Sequence, residues 1–118
     1  MAEFMTFRRW VITDAAKEAE VVALVRTVIV PTYQKLPGCL KIGLLHITGT
    51  NAYLATQHWR SRAAYKAALA APEYAQCRAT YEPALAHWHT LMTFAEEWET
   101  VDLLGADGDL LPTGGTKE

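Results

Sequence analysis

Within the run Gln57-His58-Trp59-Arg60-Ser61-Arg62-Ala63-Ala64-Tyr65, a large aromatic and an ionisable hydroxyl stand six residues apart. The residues up to Trp59 read as a strand, Ser61 as a helix cap, and the Ala-rich stretch beyond it as a helix. Trp59 at the strand end and Tyr65 on the first helical turns would then converge on one space between sheet and helix. Trp59 is there either a stacking wall for a flat polycyclic ligand or a core side chain. Tyr65 either hydrogen-bonds a phenol or enolate oxygen or lies at an ordinary helix–sheet seam. Ala63, Ala64, Ala67 and Ala68 around it either allow flush packing or leave room for that ligand.

Arg78, further along the same helical region, is the sharper candidate. Turned toward the pocket, its guanidinium would hold an oxyanion and favour a ligand's ionised form; turned outward it is simply solvated. His46 is the natural general base, because imidazole titrates near neutral pH. Alternation turns His58 away from the face that Trp59 presents. His87 and His89 are two apart, but an H-x-H pair with no further Cys or His nearby does not make a metal site. No Gly-rich phosphate loop precedes a helix, since Gly105-Ala106-Asp107-Gly108 lies near the chain end, and no G-x-S-x-G elbow occurs. Glu96, Glu97 and Glu99 read as a solvated strand edge.

The elements that must position these groups are marked by turn and cap chemistry. Phe4–Thr13 reads as the first strand. Asp14 caps a long helix carrying Ala15, Ala19, Val22, Val25, Ile29, Tyr33 and Leu36, which Pro31 should kink or interrupt. Pro37-Gly38 ends it. Strands over Cys39–Thr48 and Tyr53–Trp59 flank the turn Gly49-Thr50-Asn51. A helix capped by Ser61 runs to Ala71-Pro72 and restarts through Tyr74, Arg78 and Tyr81. Glu82-Pro83 is expected to break it again, leaving one short turn to Trp88. His89–Leu103 is the last strand, with Met92, Phe94 and Trp98 on one parity. Residues 1–104 thus form one domain and residues 105–118 a mobile tail.

This order is β-α-β-β-α-β, the ferredoxin-like arrangement of α+β proteins with a four-stranded antiparallel sheet. Two helical segments cover one sheet face only, yet the second and fourth strands are apolar on both parities. The open face therefore calls for a second copy of the chain, packed sheet to sheet. The chain has 118 residues and a formal net charge of −2, with no basic block to bind nucleic acid or an anionic membrane. No apolar run is long enough to span a bilayer, and no signal-peptide core is present. Cys39 and Cys77 read as reduced thiols of a cytoplasmic protein.

Pro37-Gly38 before the second strand, Trp59-x-Ser61 closing the third and Ala64-Tyr65 opening the next helix occur together in that order. In this the chain resembles the antibiotic biosynthesis monooxygenase group of the dimeric α/β-barrel superfamily, over residues 4–103. Within the group it is most similar to quinone-forming monooxygenases of aromatic polyketide pathways, which use O₂ without metal, flavin or haem. The resemblance implies a homodimer, a small aromatic substrate and no cofactor. It implies catalytic roles for Tyr65, Arg78 and His46, and substrate binding by Trp59, Gln57 and the position of Ala55. Where this chain has Ala55 the family carries Asn, and the register of His46 is offset by one residue. Haem degradation on the same fold would need an axial His between Tyr74 and Arg78, where none stands. A cyclase or isomerase, or a non-catalytic ligand-binding protein of the same pathways, is the alternative.

Overall fold

The computed structural model describes residues 2–110. Strands β1 (Phe4–Ile12), β2 (Cys39–His46), β3 (Ala52–Trp59) and β4 (Met92–Val101) form one antiparallel sheet in the order β2-β3-β1-β4. Helices α1 (Glu18–Leu24), α2 (Val30–Tyr33), α3 (Arg62–Ala70) and α4 (Pro72–Leu91) supply its cover. This is the ferredoxin-like α+β arrangement that the order of turns and caps implies.

Strand alternation decides which side chains meet the helices. On β1 these are Phe4, Thr6, Arg8, Trp10 and Ile12, and register places Trp59, Gln57, Ala55 and Tyr53 of β3 beside the first four. Burial then gathers into two clusters under the helices. One holds Trp10, Ile12, Val21, Tyr53, Trp88, Leu91 and Met92; the other holds Phe4, Tyr33, Leu36, Trp59, Ala68 and Tyr81. Trp59 and Val21 are fully buried, and removing a large side chain of this kind costs about 3–5 kcal/mol.

The first helical region is interrupted as Pro31 requires. A wide turn of π type over Val25–Ile29 separates α1 from α2, and Pro31 stands in the first turn of α2. Widening the coil accommodates a residue that has no N–H to return to the preceding turn. Ser61 caps α3 by accepting from the Ala64 amide at 3.0 Å, and extended Ala71 separates α3 from α4. Pro37-Gly38 turns through a left-handed Gly38 (φ +86°), whose missing side chain lets Ala64 pack directly on it.

Two expectations need correction. Glu82-Pro83 does not break the helix: α4 runs on through Pro83 to Leu91, and β4 begins at Met92 rather than His89. A proline inside a helix costs about 3 kcal/mol; burial of Tyr81 before it and of Trp88 and Leu91 after it holds both halves to the sheet. The second correction concerns β4. A bulge opposite Arg9 and Trp10 reverses its alternation, so Phe94 meets Trp10 edge-on under the helices while Trp98 stacks on Phe7 on the open face. Of the segment 105–118, Gly105–Gly108 forms a single 3₁₀ turn, and residues 111–118 lie outside the described residues.

Candidate active site

The two buried clusters do not close on each other. Between them, bounded by the sheet, the Val25–Ile29 turn and α4, lies an open-mouthed cavity of about 450 Å³. Trp10 and Trp88 wall it from one cluster, Tyr33 and Tyr81 from the other, and Ile29, Ile42 and Leu85 add aliphatic surface. The volume and the aromatic walls suit a fused-ring ligand. Helix α4 contributes one stripe, Tyr74, Arg78, Tyr81, Leu85 and Trp88, repeating at intervals of four and three. With a rise of 1.5 Å per residue, Arg78 and His89 lie about 16 Å apart along the helix, so the cavity is elongated.

Its polar groups are connected. Trp59 Nε1 donates to Gln57 Oε1 at 3.0 Å, and Gln57 Nε2 donates to the Tyr33 hydroxyl at 3.4 Å. The Tyr33, Tyr74, Tyr81 and Arg78 side chains line the same part of the cavity. Burial, then the neighbouring Tyr81, pushes the Tyr33 pKa far above that of a free phenol; burial likewise raises Tyr81. Both therefore stay protonated and serve as hydrogen-bond donors, not as bases. At the cavity mouth Arg8 Nε pairs with Glu97 Oε2 at 3.0 Å, with both side chains about half-exposed.

The residues singled out from sequence fall into two groups. Gln57, Ala55 and Arg78 line the cavity together. Trp59 lies behind it, its indole N–H occupied by Gln57 and its ring edge-on to Tyr65. Tyr65 borders a separate polar hollow of about 470 Å³ over β1 and β4, on the far side of the Arg8–Glu97 pair. Burial, then the charge of Glu99, raises its pKa. His46 is not brought to the cavity. It ends β2 at the far edge of the fold, where its ring stacks on Tyr53 at 4.5 Å and its Nε2 meets the Thr50 carbonyl at 2.7 Å. The imidazole that does line the cavity is His89, against Trp10.

Arg8, Glu97, Tyr33, Tyr74, Tyr81 and His89 were not among the sequence candidates. Arg8 had a signal, being a charge on the same parity as Phe4, Trp10 and Ile12. Tyr74 and Tyr81 had one too, in their helical spacing with Arg78, and Tyr33 in the periodicity of the first helical region; that of His89 was hidden by the assumed break at Pro83. Glu97 had none, because only the bulge turns it inward.

A profile of the antibiotic biosynthesis monooxygenase family matches residues 8–80. The chain belongs to that family. The matched segment contains Arg8, Tyr33, Gln57, Tyr74 and Arg78, so most of the polar lining lies within it. No curated protein matches the sequence. Among solved structures, SnoaB from Streptomyces nogalater, a cofactor-independent oxygenase, superposes with a TM-score of 0.61 at 21% identity, over 85% of this chain and 92% of that one. The protein NE2512 from Nitrosomonas europaea, of unknown function, gives 0.58 at 17%, over 97% and 98%. HapK from Hahella chejuensis gives 0.56 at 15%, over 98% and 99%. At these identities the likeness is one of fold. Among the described residues no group of three or more His, Cys, Asp or Glu is placed to hold a metal ion. Among the described residues, no helix is long and apolar enough to cross a membrane.

Proposed function

We propose that this protein is a cofactor-independent monooxygenase that oxidises a polycyclic phenol or anthrone of a natural-product pathway to a quinone with O₂. The observation that carries the reading is an aromatic-walled cavity of about 450 Å³ furnished with Arg78, in a fold of this family. SnoaB, a cofactor-independent oxygenase of similar fold, supports it.

Loss of a proton from an anthrone gives an electron-rich enolate, which can pass one electron to O₂ directly. Recombination of the two radicals forms a C–O bond, and the hydroperoxide then loses water to leave the carbonyl. One O₂ and one CH₂ thereby become one C=O and one H₂O. The protein need only favour the anion, orient the ring and exclude bulk water. Arg78 stabilises the anion, Gln57 orients it, Ala55 leaves space where a larger side chain would intrude, and Trp59 acts from behind the lining by holding the Gln57 amide. Tyr65 acts from the adjoining hollow. His89 takes the part of base that the sequence suggested for His46, because its ring reaches the cavity.

The protein works as a homodimer in this reading. The open sheet face carries the Phe7–Trp98 stack and Leu45, which is 52% exposed, and Arg9 Nε is shielded there without a partner. A second copy packed on this face would cover the first and satisfy the second. The cytoplasm is the proposed compartment, where free thiols such as Cys39 and Cys77 persist.

Oxygen uptake with a panel of anthrones, without added metal, flavin or haem, tests the reading. Consumption of one O₂ per quinone formed supports it. No uptake across the panel overturns it, and a product of unchanged mass would indicate an isomerase or cyclase instead.

A further inference from the structure

We propose that the polar hollow beside Tyr65 is a second subsite for the ligand of the main cavity, and that it takes a neutral, multiply hydroxylated substituent such as a glycosyl group. The Arg8–Glu97 pair is the movable partition between ring and substituent. This rests on the reading that the main cavity takes a fused ring, and it adds what that ring carries.

The hollow exists because the helices stop short of the fourth strand. Tyr65 of α3 packs on Trp59 of β3 and Phe4 of β1, whereas β4 is exposed along its length beyond Met92. Over that uncovered part of the sheet stand Thr6 and Arg8 of β1, Glu97 and Glu99 of β4, and Tyr65. Register sets Thr6 beside Glu99 and Arg8 beside Glu97. Arg8 and Glu97 also line the main cavity, and among the described residues no other is common to both linings. The two spaces are therefore neighbours divided by one ion pair. That pair is a single contact, Arg8 Nε to Glu97 Oε2 at 3.0 Å, between side chains that are about half-exposed. Exposed pairs of this kind contribute little to stability, so rotation of either long side chain joins the spaces.

The hydrogen-bonding groups of the hollow define what fits. Thr6 is only 8% exposed, yet among the described residues its hydroxyl has no partner, and neither has that of Tyr65. Arg8 engages Glu97 through Nε, which leaves its terminal nitrogens as donors. The site thus offers two hydroxyls that donate and accept, two carboxylates that accept, and a guanidinium that donates. Its charge is balanced: Arg8 faces Glu97, and Arg62 faces Glu99 at 3.7 Å. A charged substituent would compete with one of these pairs. Neighbouring hydroxyl groups would not, because each can donate to a carboxylate while accepting from Arg8, and bonds to charged partners are the stronger ones.

Anthraquinone carrying one methoxy or one glucosyloxy group, at C1 or at C2, supplies two matched pairs of probes. The members of a pair differ only in the hydroxylated appendage, and none carries a phenol. Isothermal titration calorimetry with the full chain should show, for at least one pair, the glucoside binding about 10-fold tighter or more. T6V and E99Q should each reduce that advantage by about 3- to 10-fold. Neither residue lines the main cavity, so affinity for the methoxy probe should stay at the wild-type value. Stopped-flow quenching of tryptophan fluorescence reads the partition. Association of the glucoside should quicken as salt rises from about 0.05 to 0.5 M, because salt screens the exposed pair. In R8A/E97A it should be fast at either salt concentration.

Equal affinities within both pairs, failure of all four probes to bind, or an advantage that survives both T6V and E99Q would overturn the proposal. Glucoside association indifferent to salt in the wild type would overturn the role of the Arg8–Glu97 pair. The oxygenase reading fails separately. A glucoside advantage in a protein that consumes no O₂ keeps the second subsite and removes the oxygenase. Anthrone oxidation with equal affinities within both pairs does the reverse.

Discussion

Trp59 and Gln57 share one face of β3, and the indole N–H of the first holds the amide oxygen of the second at 3.0 Å. Residues two apart on a strand point the same way, so the contact needs no loop or helix to form. A side chain that is fully buried thereby controls the polarity of one that lines the cavity. Trp59 influences the ligand without touching it.

The W59F variant keeps an aromatic ring in the buried cluster but removes the donor. It should cost about 1–2 kcal/mol from one net hydrogen bond and a small void, whereas W59A should cost about 3–5 kcal/mol. Urea denaturation followed by circular dichroism measures both. If W59F is as costly as W59A, the ring's contacts matter less than its N–H, contrary to expectation.

Gly38 is the tightest point between the β2 turn and α3. Its φ is +86°, and an added Cβ would stand 2.8 Å from the Ala64 Cβ. G38A should therefore lose more than the ~1–2 kcal/mol of left-handed backbone strain alone. In an A64G background the collision disappears and only the backbone part should remain. A double-mutant cycle by thermal denaturation reads the difference.

Tyr53 donates to Glu18, and this bond, then burial and then the carboxylate's charge, push its pKa up from 10.0 to about 12. The folded protein therefore holds a proton that the unfolded chain has released. Stability from this pair is complete below pH 10.0 and is lost as pH rises toward about 12. Alkaline unfolding of wild type and E18Q should diverge in that window, and tyrosinate absorbance should show one tyrosine titrating earlier in E18Q. Identical curves would show that Glu18 does not set the Tyr53 titration.

Pro83 stands between the two halves of the cavity-lining stripe of α4. P83A removes the penalty of an interior proline, about 3 kcal/mol for the lost hydrogen bond and the ring clash together, offset by about 1 kcal/mol of unfolded-chain entropy. A net gain of about 2 kcal/mol is expected in the unfolding midpoint. An interior proline tends to bend a helix, so its removal is expected to move Tyr74 and Arg78 relative to Trp88 and His89, and affinity for a planar hydroxyanthraquinone such as alizarin should fall as stability rises. Stability and affinity increasing together would show that Pro83 has no part in shaping the cavity.

The arrangement of elements was legible because each boundary carries its own local chemistry. Ser61 accepts from a backbone amide three residues on, Gly38 takes a conformation other residues avoid, and Pro72 stands where a helix can begin. These are decisions among neighbours in the chain. The continuation of α4 past Pro83 was not of that kind, because contacts with the sheet made by Tyr81, Trp88 and Leu91 outweigh a local penalty. Nor was the reversal of β4, since the bulge forms only against the register of β1.

The same division runs through the site. Parity alone puts Gln57, Ala55 and Arg8 on the helix side of the sheet, and the spacing of Tyr74, Arg78 and Tyr81 puts them on one side of a helix. Whether those two surfaces enclose a space depends on volumes summed over residues distant in sequence. Tyr65 and Trp59 satisfy the local pattern equally well, yet one faces the adjoining hollow and the other is sealed behind Gln57. Sequence by itself determined the elements and the faces, because these follow from backbone period and capping. Only the tertiary structure decided which side chains share the cavity, because two buried clusters must fail to meet for a cavity to exist between them.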